Sequence, residues 1–187
     1  VYISGHPLDD YSIILTDVCS NHAPDLADIS PYKDKDITVG GIVTSVRTGQ
    51  TKTGKPYGIV KLEDYDGAGE IALFGDDWAR HSGYFTIGNS LFITAHVEER
   101  HWKPGNYDLH ITKIEFLSDV KENKIQRITF TLNLDELDDI AAQDLSTHLQ
   151  KAGKTELYFN VREPKRSFNV TLRSQTPGIA VTKELVD

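Results

Sequence analysis

Residues 37–46 read Ile-Thr-Val-Gly-Gly-Ile-Val-Thr-Ser-Val, and the fold prediction starts from this stretch. Its apolar side chains recur at the spacing of a β-strand that buries one face. Gly40 and Gly41 interrupt the alternation, and glycines inside a strand indicate a bulge or a sharp bend. We therefore predict a long first strand that is distorted at the glycine pair.

Further strand patterns follow this stretch. The predicted strands cover residues 57–64, 70–74, 91–97 and 107–117. A short helix that carries Trp78 is predicted at 76–85, between the third and fourth strands. Five strands with a helix between the third and the fourth is the order of an OB-fold, a small Greek-key barrel. We predict an OB-fold nucleic-acid-binding domain at residues 35–120.

Residues 1–34 precede this domain and carry one helical signal. Pro7 suits the first turn of a helix, and the acidic residues after it suit the positive end of the helix dipole. Residues 18–35 are polar and contain two prolines, which is typical of a connector. We expect residues 1–34 to form a helical segment followed by this connector.

A second pattern begins after a charged joint at 121–124 and predicts a small α+β domain at 125–187. Alternating apolar residues predict strands at 128–134, 157–161 and 168–172, with a last short strand near Ile179. Apolar residues at helical spacing predict a helix from Leu137 to Leu149, and Gly153 occupies the place of a C-cap glycine. Residues 182–187 are predicted to begin a further helix. The whole chain is predicted to be mainly β with α: a five-stranded OB-fold barrel, then strand-helix-strand-strand.

The composition limits the classes of function. The net charge of −8 argues against a surface that binds nucleic acid everywhere, but screening allows a local basic strip to act nearly alone. The single cysteine excludes an internal disulfide and fits a reducing cytoplasm. No apolar run approaches the length of a membrane span. The chain begins at Val1 and contains no Met, so we expect an internal fragment.

Cations and hydroxyls cluster after the first strand. The predicted loop contains Arg47, Thr48, Gln50, Thr51, Lys52, Thr53 and Lys55. Such side chains in a flexible loop suit contacts with phosphates, which carry most of the sequence-independent affinity for DNA. An ordinary solvated hairpin is the alternative. Arg47, Lys52 and Lys55 are our candidate nucleic-acid-binding cations here.

Aromatic side chains supply the second set of candidates, because OB-folds stack unpaired bases on exposed rings beside cations. Tyr57 and Phe74 are predicted to point away from the core, whereas Trp78 is better explained as packing at the barrel end. The loop between the fourth and fifth strands adds Arg100, Trp102 and Lys103. Two neighbouring glutamates, at 98 and 99, weaken the positive field of that loop.

No catalytic residue, metal site or cofactor is assigned to this chain. His96, His101 and His110 lie on or near neighbouring predicted strands, but no carboxylate or cysteine completes a zinc spacing. The sequence shows neither a glycine-rich phosphate cradle nor a nucleophile-base-acid set. We therefore expect this part of the protein not to be an enzyme.

Three stretches resemble the alpha, or catalytic, subunit of bacterial DNA polymerase III. They are Tyr-Ile-Ser-Gly-His-Pro-Leu-Asp-Asp-Tyr at 2–11, the glycine-pair strand with residues 52–58, and residues 62–64 with 70–74. Together they cover roughly the first two thirds of the chain. The Ser-Gly-His-Pro-Leu-Asp string is the most specific of them, because OB-folds recur in many families.

The resemblance implies a DNA-directed DNA polymerase, a nucleotidyltransferase whose catalytic aspartates lie upstream of this tract. It implies that the OB-fold domain holds the single-stranded DNA template near the active site. It also implies that the C-terminal domain docks the tau subunit of the clamp loader and other replisome proteins. We expect a cytoplasmic, nucleoid-associated location and a monomer in isolation.

Two other interpretations fit parts of the sequence. The acidic balance favours a protein-interaction module that binds tau and has little DNA affinity of its own. The strand order also suits an anticodon-binding domain of a tRNA synthetase, although the string at 4–9 and the second domain do not.

Overall fold

The computed structural model describes residues 6–101, 103–135, 143, 145–147, 149, 152–176 and 178–181. The chain forms two compact units, Val1–Val120 and Lys121–Asp187, which we call the first and second units. Within the described ranges, no helix combines the length and the apolar character needed to cross a membrane.

The first unit is a five-stranded antiparallel sheet. Its strands are β1 (Asp36–Gln50), β2 (Pro56–Glu63), β3 (Ala68–Phe74), β4 (Ser90–Glu99) and β5 (Tyr107–Phe116). They lie in the order β3-β2-β1-β4-β5. A short helix α1 (Asp76–His81), continued by a 3₁₀ turn (Ser82–Tyr84), connects β3 to β4. This arrangement confirms the predicted OB-fold.

Strand β1 changes partners along its length. Residues 36–42 pair with β4, and residues 42–50 pair with β2. The bulge lies at Thr44 and not at the glycine pair, so of the two predicted distortions, a bulge or a sharp bend, the bulge is wrong. The glycines serve close approach instead: a Cβ on Gly40 would lie 2.4 Å from Leu15 Cδ2, and one on Gly41 would lie 2.7 Å from the carbonyl oxygen of Glu63.

The core of the first unit follows the predicted alternation. Its buried strand residues include Val39, Val43, Val60, Leu62, Ile71, Leu73, Leu91, Ile93, Ala95 and Val97. Trp78 packs on this core and stacks on Phe85 with ring centroids 6.1 Å apart. A Cβ on Gly58 would lie 2.2 Å from the Trp78 ring, so β2 needs a glycine under the indole. Trp78 is therefore a core residue, as predicted.

The segment before β1 is more ordered than a polar connector. It contains 3₁₀ turns at Asp9–Tyr11, Ala23–Ala27 and Ser30–Tyr32, and a π-helical stretch at Ile14–Val18. Ala23 and Leu26 are buried, and Leu26 belongs to the core of the first unit. The connector prediction is corrected because its few apolar residues point inward against β3.

Helix α2 (Leu117–Lys124) replaces the charged joint that was predicted at 121–124. Leu117 and Val120, one helical turn apart, are both 0% exposed. Their burial fixes the first turn of α2, and the charged residues are its second half. The charged composition therefore belongs to a solvated helix rather than to an irregular joint.

The second unit contains a three-stranded sheet in the order β6-β7-β8. Its strands are β6 (Arg127–Asn133), β7 (Ala152–Glu163) and β8 (Phe168–Arg173). Strands β6 and β7 are parallel, whereas β7 and β8 are antiparallel and joined by a 3₁₀ turn at Pro164–Arg166. The mainly β architecture with a smaller α+β region is as predicted.

Two details of the second unit differ from the prediction. Gly153 lies in β7 rather than at a helix C-cap, and a Cβ there would lie 2.3 Å from the Ile179 carbonyl oxygen. Ile179 makes isolated bridges to Ala152 and Thr155 instead of a strand. Gln143 and residues 145–147 of the predicted helix are helical. The rest of that prediction except Leu149, and the helix predicted at 182–187, fall outside the described residues.

We predict that Gly69→Ala destabilises the first unit. A Cβ at Gly69 would lie 1.9 Å from the backbone oxygen of Ala23, so the 23–27 turn must move away from β3. The expected loss is about 1–3 kcal/mol in the free energy of unfolding, as for other overpacked sites. Urea unfolding followed by Trp fluorescence measures it.

Gly83→Ala is the matched control, because no atom lies within 4 Å of its Cβ position. Its effect should stay within about 0.5 kcal/mol. Equal stability of the two variants would contradict the packing of the 23–27 turn on β3.

His81, at the end of α1, is a buried titratable group. It is 8% exposed, and its Nε2 has no hydrogen-bond partner among the described residues. Burial, reinforced by the nearby Arg80, lowers the pKa of His81 below its usual range. The folded first unit therefore holds this imidazole in its neutral form near neutral pH.

We predict that protonation of His81 destabilises the first unit. The unfolded state binds the proton more readily, so the free energy of unfolding falls as the pH drops below about 6.5 and levels off below the folded pKa. His81→Leu should show a shallower loss between about pH 7 and pH 5. Urea titrations at each pH measure both slopes, and equal slopes would show that the burial of His81 does not affect stability.

Candidate nucleic-acid interface

The side of β1, β2 and β3 that faces away from the core is ordered in rows by the strand register. The rows are Gly49–Tyr57–Phe74, Arg47–Ile59–Ala72 and Ser45–Lys61–Glu70. We call this set the outer face. It places aromatic, aliphatic and charged side chains side by side, in the region where OB-folds bind oligonucleotides.

An aromatic pair lies at one end of the outer face. The ring centroids of Tyr57 and Phe74 are 5.8 Å apart. Tyr57 is half-buried, because its ring lies over Gly49, where a Cβ would be 2.8 Å from the phenol oxygen. Phe74 is 52% exposed. The pair therefore presents one half-buried ring, that of Tyr57, and one exposed ring, that of Phe74. Both point away from the core, as predicted.

Arg47 lies on β1, not in a loop. Because β1 runs to Gln50 and pairs with β2 as far as Pro56, the prediction of a loop at Arg47, Thr48 and Gln50 is wrong. Arg47 Nη2 donates to Glu70 Oε1 at 2.6 Å, so the guanidinium reaches across β2. The guanidinium therefore lies over the outer face and points toward the Ser45–Lys61–Glu70 row, on the side away from the aromatic pair.

The loop between β1 and β2 is short and is closed by backbone hydrogen bonds. The Thr51 N–H donates to the Lys55 carbonyl at 2.8 Å, and the Gly54 N–H donates to the Thr51 carbonyl at 2.9 Å. Lys52 and Lys55 are exposed. Lys55 Cδ lies 3.7 Å from the Cβ position of Gly75, the residue after Phe74. The loop therefore brings the Lys55 side chain close to the end of β3.

The local charge differs from that of the whole chain. The outer face and the adjacent 51–55 loop, all of them described residues, carry Arg47, Lys52, Lys55 and Lys61 against Glu70. The chain as a whole has a net charge of −8. This strip is therefore positive on a predominantly negative molecule, which suits an anionic ligand.

The loop between β4 and β5 is more nearly neutral. Arg100 Nε donates to Asp108 Oδ1 at 2.7 Å, and Nη2 donates to the same oxygen. Glu99 accepts from Lys33 and from the Gly105 N–H, and these bonds hold the pKa of its carboxyl below the usual range. The same ion pair raises the pKa of Lys33.

Two other predicted residues belong to the β4–β5 loop. Lys103 is exposed. Trp102 lies outside the described residues.

A cavity of about 120 Å³ connects this loop to the outer face. Phe74 and Glu70 line it from β3, Tyr107 and Asp108 line it from β5, and Arg100 lines it from the loop. The structure thus brings Arg100 to the same cavity as Phe74. The sequence analysis did not include Tyr107, which lines this cavity, or Lys61, which lies on the outer face, among the candidate residues. The alternation of side chains along β5 and β2 could have indicated both.

The histidines pair with carboxylates rather than with each other. His96 Nδ1 lies 2.7 Å from Asp36 Oδ1, and His101 and His110 each lie 3.5 Å from Glu98. These histidines do not form a shared ligand set within the described part of the chain.

One group with metal-ligand chemistry was not foreseen from the sequence: His22, Asp64 and Asp66. His22 Nδ1 lies 2.8 Å from Asp66 Oδ2. Asp64 accepts the backbone N–H groups of Ala23 at 2.7 Å, Asp66 at 2.9 Å and Gly67 at 3.1 Å. Its buried carboxylate therefore joins the β2–β3 turn to the 23–27 turn, which explains its position without an ion.

Curated relatives of this chain are DNA polymerase III alpha subunits. That of Borreliella burgdorferi is 26% identical over 92% of this chain, and that of Vibrio cholerae is 23% identical over 99%. That of Haemophilus influenzae is 36% identical over 41%. The chain spans 15%, 16% and 6% of the lengths of these three relatives.

Two family models match consecutive parts of the chain. The OB-fold nucleic acid binding domain matches residues 37–117, and the DNA polymerase III alpha subunit, C-terminal domain, matches residues 128–187. Among solved structures, the second OB-fold domain of replication protein A from Methanococcus maripaludis is 12% identical, covers 45% of this chain and 85% of its own, and has a TM-score of 0.30.

The assignment of the chain rests on the sequence matches, and they confirm the resemblance seen in the sequence. The chain is therefore similar over most of its length to bacterial DNA polymerase III alpha subunits, with an OB-fold nucleic acid binding domain followed by a stretch that matches the C-terminal domain of those subunits.

Proposed function

We propose that the outer face binds single-stranded DNA without reading its sequence, as a non-catalytic part of the DNA polymerase III alpha subunit. The observation that carries this proposal is the exposed Phe74 ring, which is paired with Tyr57 on a face that has more cations than carboxylates. The exposed part of this ring offers a surface on which an unpaired base can stack.

The chemistry of the outer face matches a single strand in two ways. Stacking on Tyr57 and Phe74 suits any base, because every base has a π-face. Arg47, Lys52, Lys55 and Lys61 suit phosphates, which are the same in every sequence. A template that passes a polymerase site must be held without regard to its sequence, and this combination meets that need.

We predict that the chain binds labelled oligothymidine and that binding weakens steeply with salt. Lys52→Ala with Lys55→Ala should lower the slope of log K against log salt by about 0.7 for each phosphate that is no longer neutralised. Phe74→Ala should cost about 1–3 kcal/mol because a base can no longer stack on the ring. Fluorescence anisotropy across a salt series measures both effects.

The control is Arg80→Ala with Lys113→Ala, which removes the same charge from exposed cations, 65% and 62% accessible, outside the outer face. Thermal unfolding should show that all of these variants remain folded. An equal loss of affinity in the control would mean that net charge alone drives binding. Unchanged affinity in the Lys52/Lys55 and Phe74 variants would rule out the outer face.

We propose, as a second function, that the second unit docks the tau subunit of the clamp loader. The supporting observation is an exposed apolar pair on the edge strand β8: Phe168 is 47% exposed and Leu172 is 51% exposed. Both point to the side of the sheet that carries Phe159 and Val161. Apolar side chains on an open edge strand are typical of a protein interface.

We predict that Phe168→Ser with Leu172→Ser abolishes capture of purified tau by the immobilised chain, because the variant no longer offers an apolar surface on β8. Ile87→Ser is the control, since Ile87 is 66% exposed but lies in the first unit. A pull-down compares the three chains. Retention of tau by the Phe168/Leu172 variant would exclude this edge as the docking site.

A further inference from the structure

The second unit has a polar sheet face opposite the side that carries Phe159, Phe168 and Leu172. The strand register places these side chains on it: Arg127, Thr129, Thr131 and Asn133 of β6, Glu156, Tyr158, Asn160 and Arg162 of β7, and Asn169, Thr171 and Arg173 of β8. None of them is aliphatic, and every one can form hydrogen bonds. We call this set the polar sheet face.

The charge of the polar sheet face is opposite to that of the chain. Three arginines, at 127, 162 and 173, face the single carboxylate of Glu156. The whole chain carries 28 acidic against 20 basic residues. If this face only contacted solvent, we would expect it to carry an excess of acidic residues like the rest of the chain. Its excess of arginines therefore indicates an anionic partner.

One end of the face is held by Glu156. Its Oε1 accepts from Arg173 Nη2 at 2.7 Å, and its Oε2 accepts from the Tyr158 hydroxyl at 3.2 Å. Arg127 Nη2 lies 4.0 Å from the same carboxylate, and the Arg127 guanidinium carbon lies 4.3 Å from the Tyr158 ring centroid. Glu156 therefore orients two arginines that stay 61% and 64% exposed.

The other end is held by amides. With the Asn160 side-chain oxygen turned toward Arg162, it accepts from Arg162 Nη2 at 3.0 Å and from Nε at 3.2 Å. The Asn160 nitrogen then donates to the Asn169 oxygen. Arg162 remains exposed. The third arginine is thus also positioned by a neighbour that does not cancel its charge.

We propose that the polar sheet face is a second binding surface for single-stranded DNA, separate from the outer face of the first unit. Arg, Asn, Thr and Tyr are side chains that contact phosphate oxygens, and the planar guanidinium can bind one phosphate through two parallel hydrogen bonds. The guanidinium of Arg127 on Tyr158 offers a surface on which an unpaired base can stack. An acidic polypeptide would be attracted by the same positive charge, but its carboxylate side chains could not stack on the guanidinium of Arg127.

The test uses the 187-residue chain and an oligothymidine of about 30 nucleotides, longer than the ~16 nucleotides that one OB-fold covers at most. Arg162→Gln with Arg173→Gln should lower the slope of log K against log salt by about 1.4, which is about 0.7 for each phosphate contact on a single strand. The same decrease should appear when Lys52, Lys55 and Phe74 are replaced by Ala. The result is therefore independent of whether the outer face binds DNA.

The matched control is Lys165→Gln with Arg166→Gln. It removes the same charge from the β7–β8 turn, where these side chains are 79% and 80% exposed, but leaves the polar sheet face intact. A larger decrease in the Arg162/Arg173 variant than in this control, with amide NMR shifts in β6–β8 on titration, supports the proposal. An equal decrease in both variants, or an unchanged slope, overturns it.

Two further probes separate the possible partners. The first probe is duplex DNA. If the chain binds a duplex more tightly than oligothymidine, and the Arg162/Arg173 variant loses that binding, the assignment to a single strand is wrong. If the Arg162/Arg173 variant keeps its DNA affinity but loses binding to polyglutamate, the partner is an acidic protein and the proposal is wrong.

Discussion

The first unit depends on one constraint, which is that β1 must be hydrogen-bonded to β4 over its first half and to β2 over its second half. The Leu15 side chain and the backbone of β2 both come close to β1 at this change of partner. Only Gly40 and Gly41 leave the necessary space, since a Cβ at either would lie within 2.7 Å of a neighbouring atom. Because β2 and β3 take their positions from β1, the rows of the outer face follow from the same constraint.

Carboxylates on this acidic chain orient its arginines. Glu70 holds Arg47, Asp108 holds Arg100, and Glu156 holds Arg173, at distances expected of charge-assisted hydrogen bonds. Surface ion pairs of this kind contribute only about 0–1 kcal/mol to stability. Their main consequence is therefore geometric: a long, flexible side chain is restricted to one part of a sheet face. Local positive surfaces on a chain with a net charge of −8 arise only where cations outnumber the carboxylates that hold them, as on the outer face with its adjacent 51–55 loop.

The predictions that failed share a physical cause. Gly153 was assigned to a helix end and Gly40 and Gly41 to a bulge, because glycine in a sequence indicates conformational freedom. In the structure these glycines serve close backbone or side-chain approach by segments distant in sequence. Arg47 was assigned to a loop because cations and hydroxyls are common in loops. In the structure, pairing with β2 extends β1 through Arg47 as far as Gln50. Local patterns carry no information on which distant segment comes near.

Periodicity in the sequence was enough to predict the succession of strands along the first unit, the alternation of buried and exposed residues, and the outward direction of Tyr57 and Phe74. These follow from local periodicity, because a strand's side chains alternate whatever it pairs with. Only the tertiary structure decided which charges meet, including the pairing of Arg100 with Asp108, the link of Asp64 to the 23–27 turn and the gathering of three arginines around Tyr158 and Asn160. The contacts on the sheet faces depend on strand register, because a one-residue shift would move a strand's side chains to the other face. The link of Asp64 to the 23–27 turn joins segments 41 residues apart in sequence, and no local pattern predicts it.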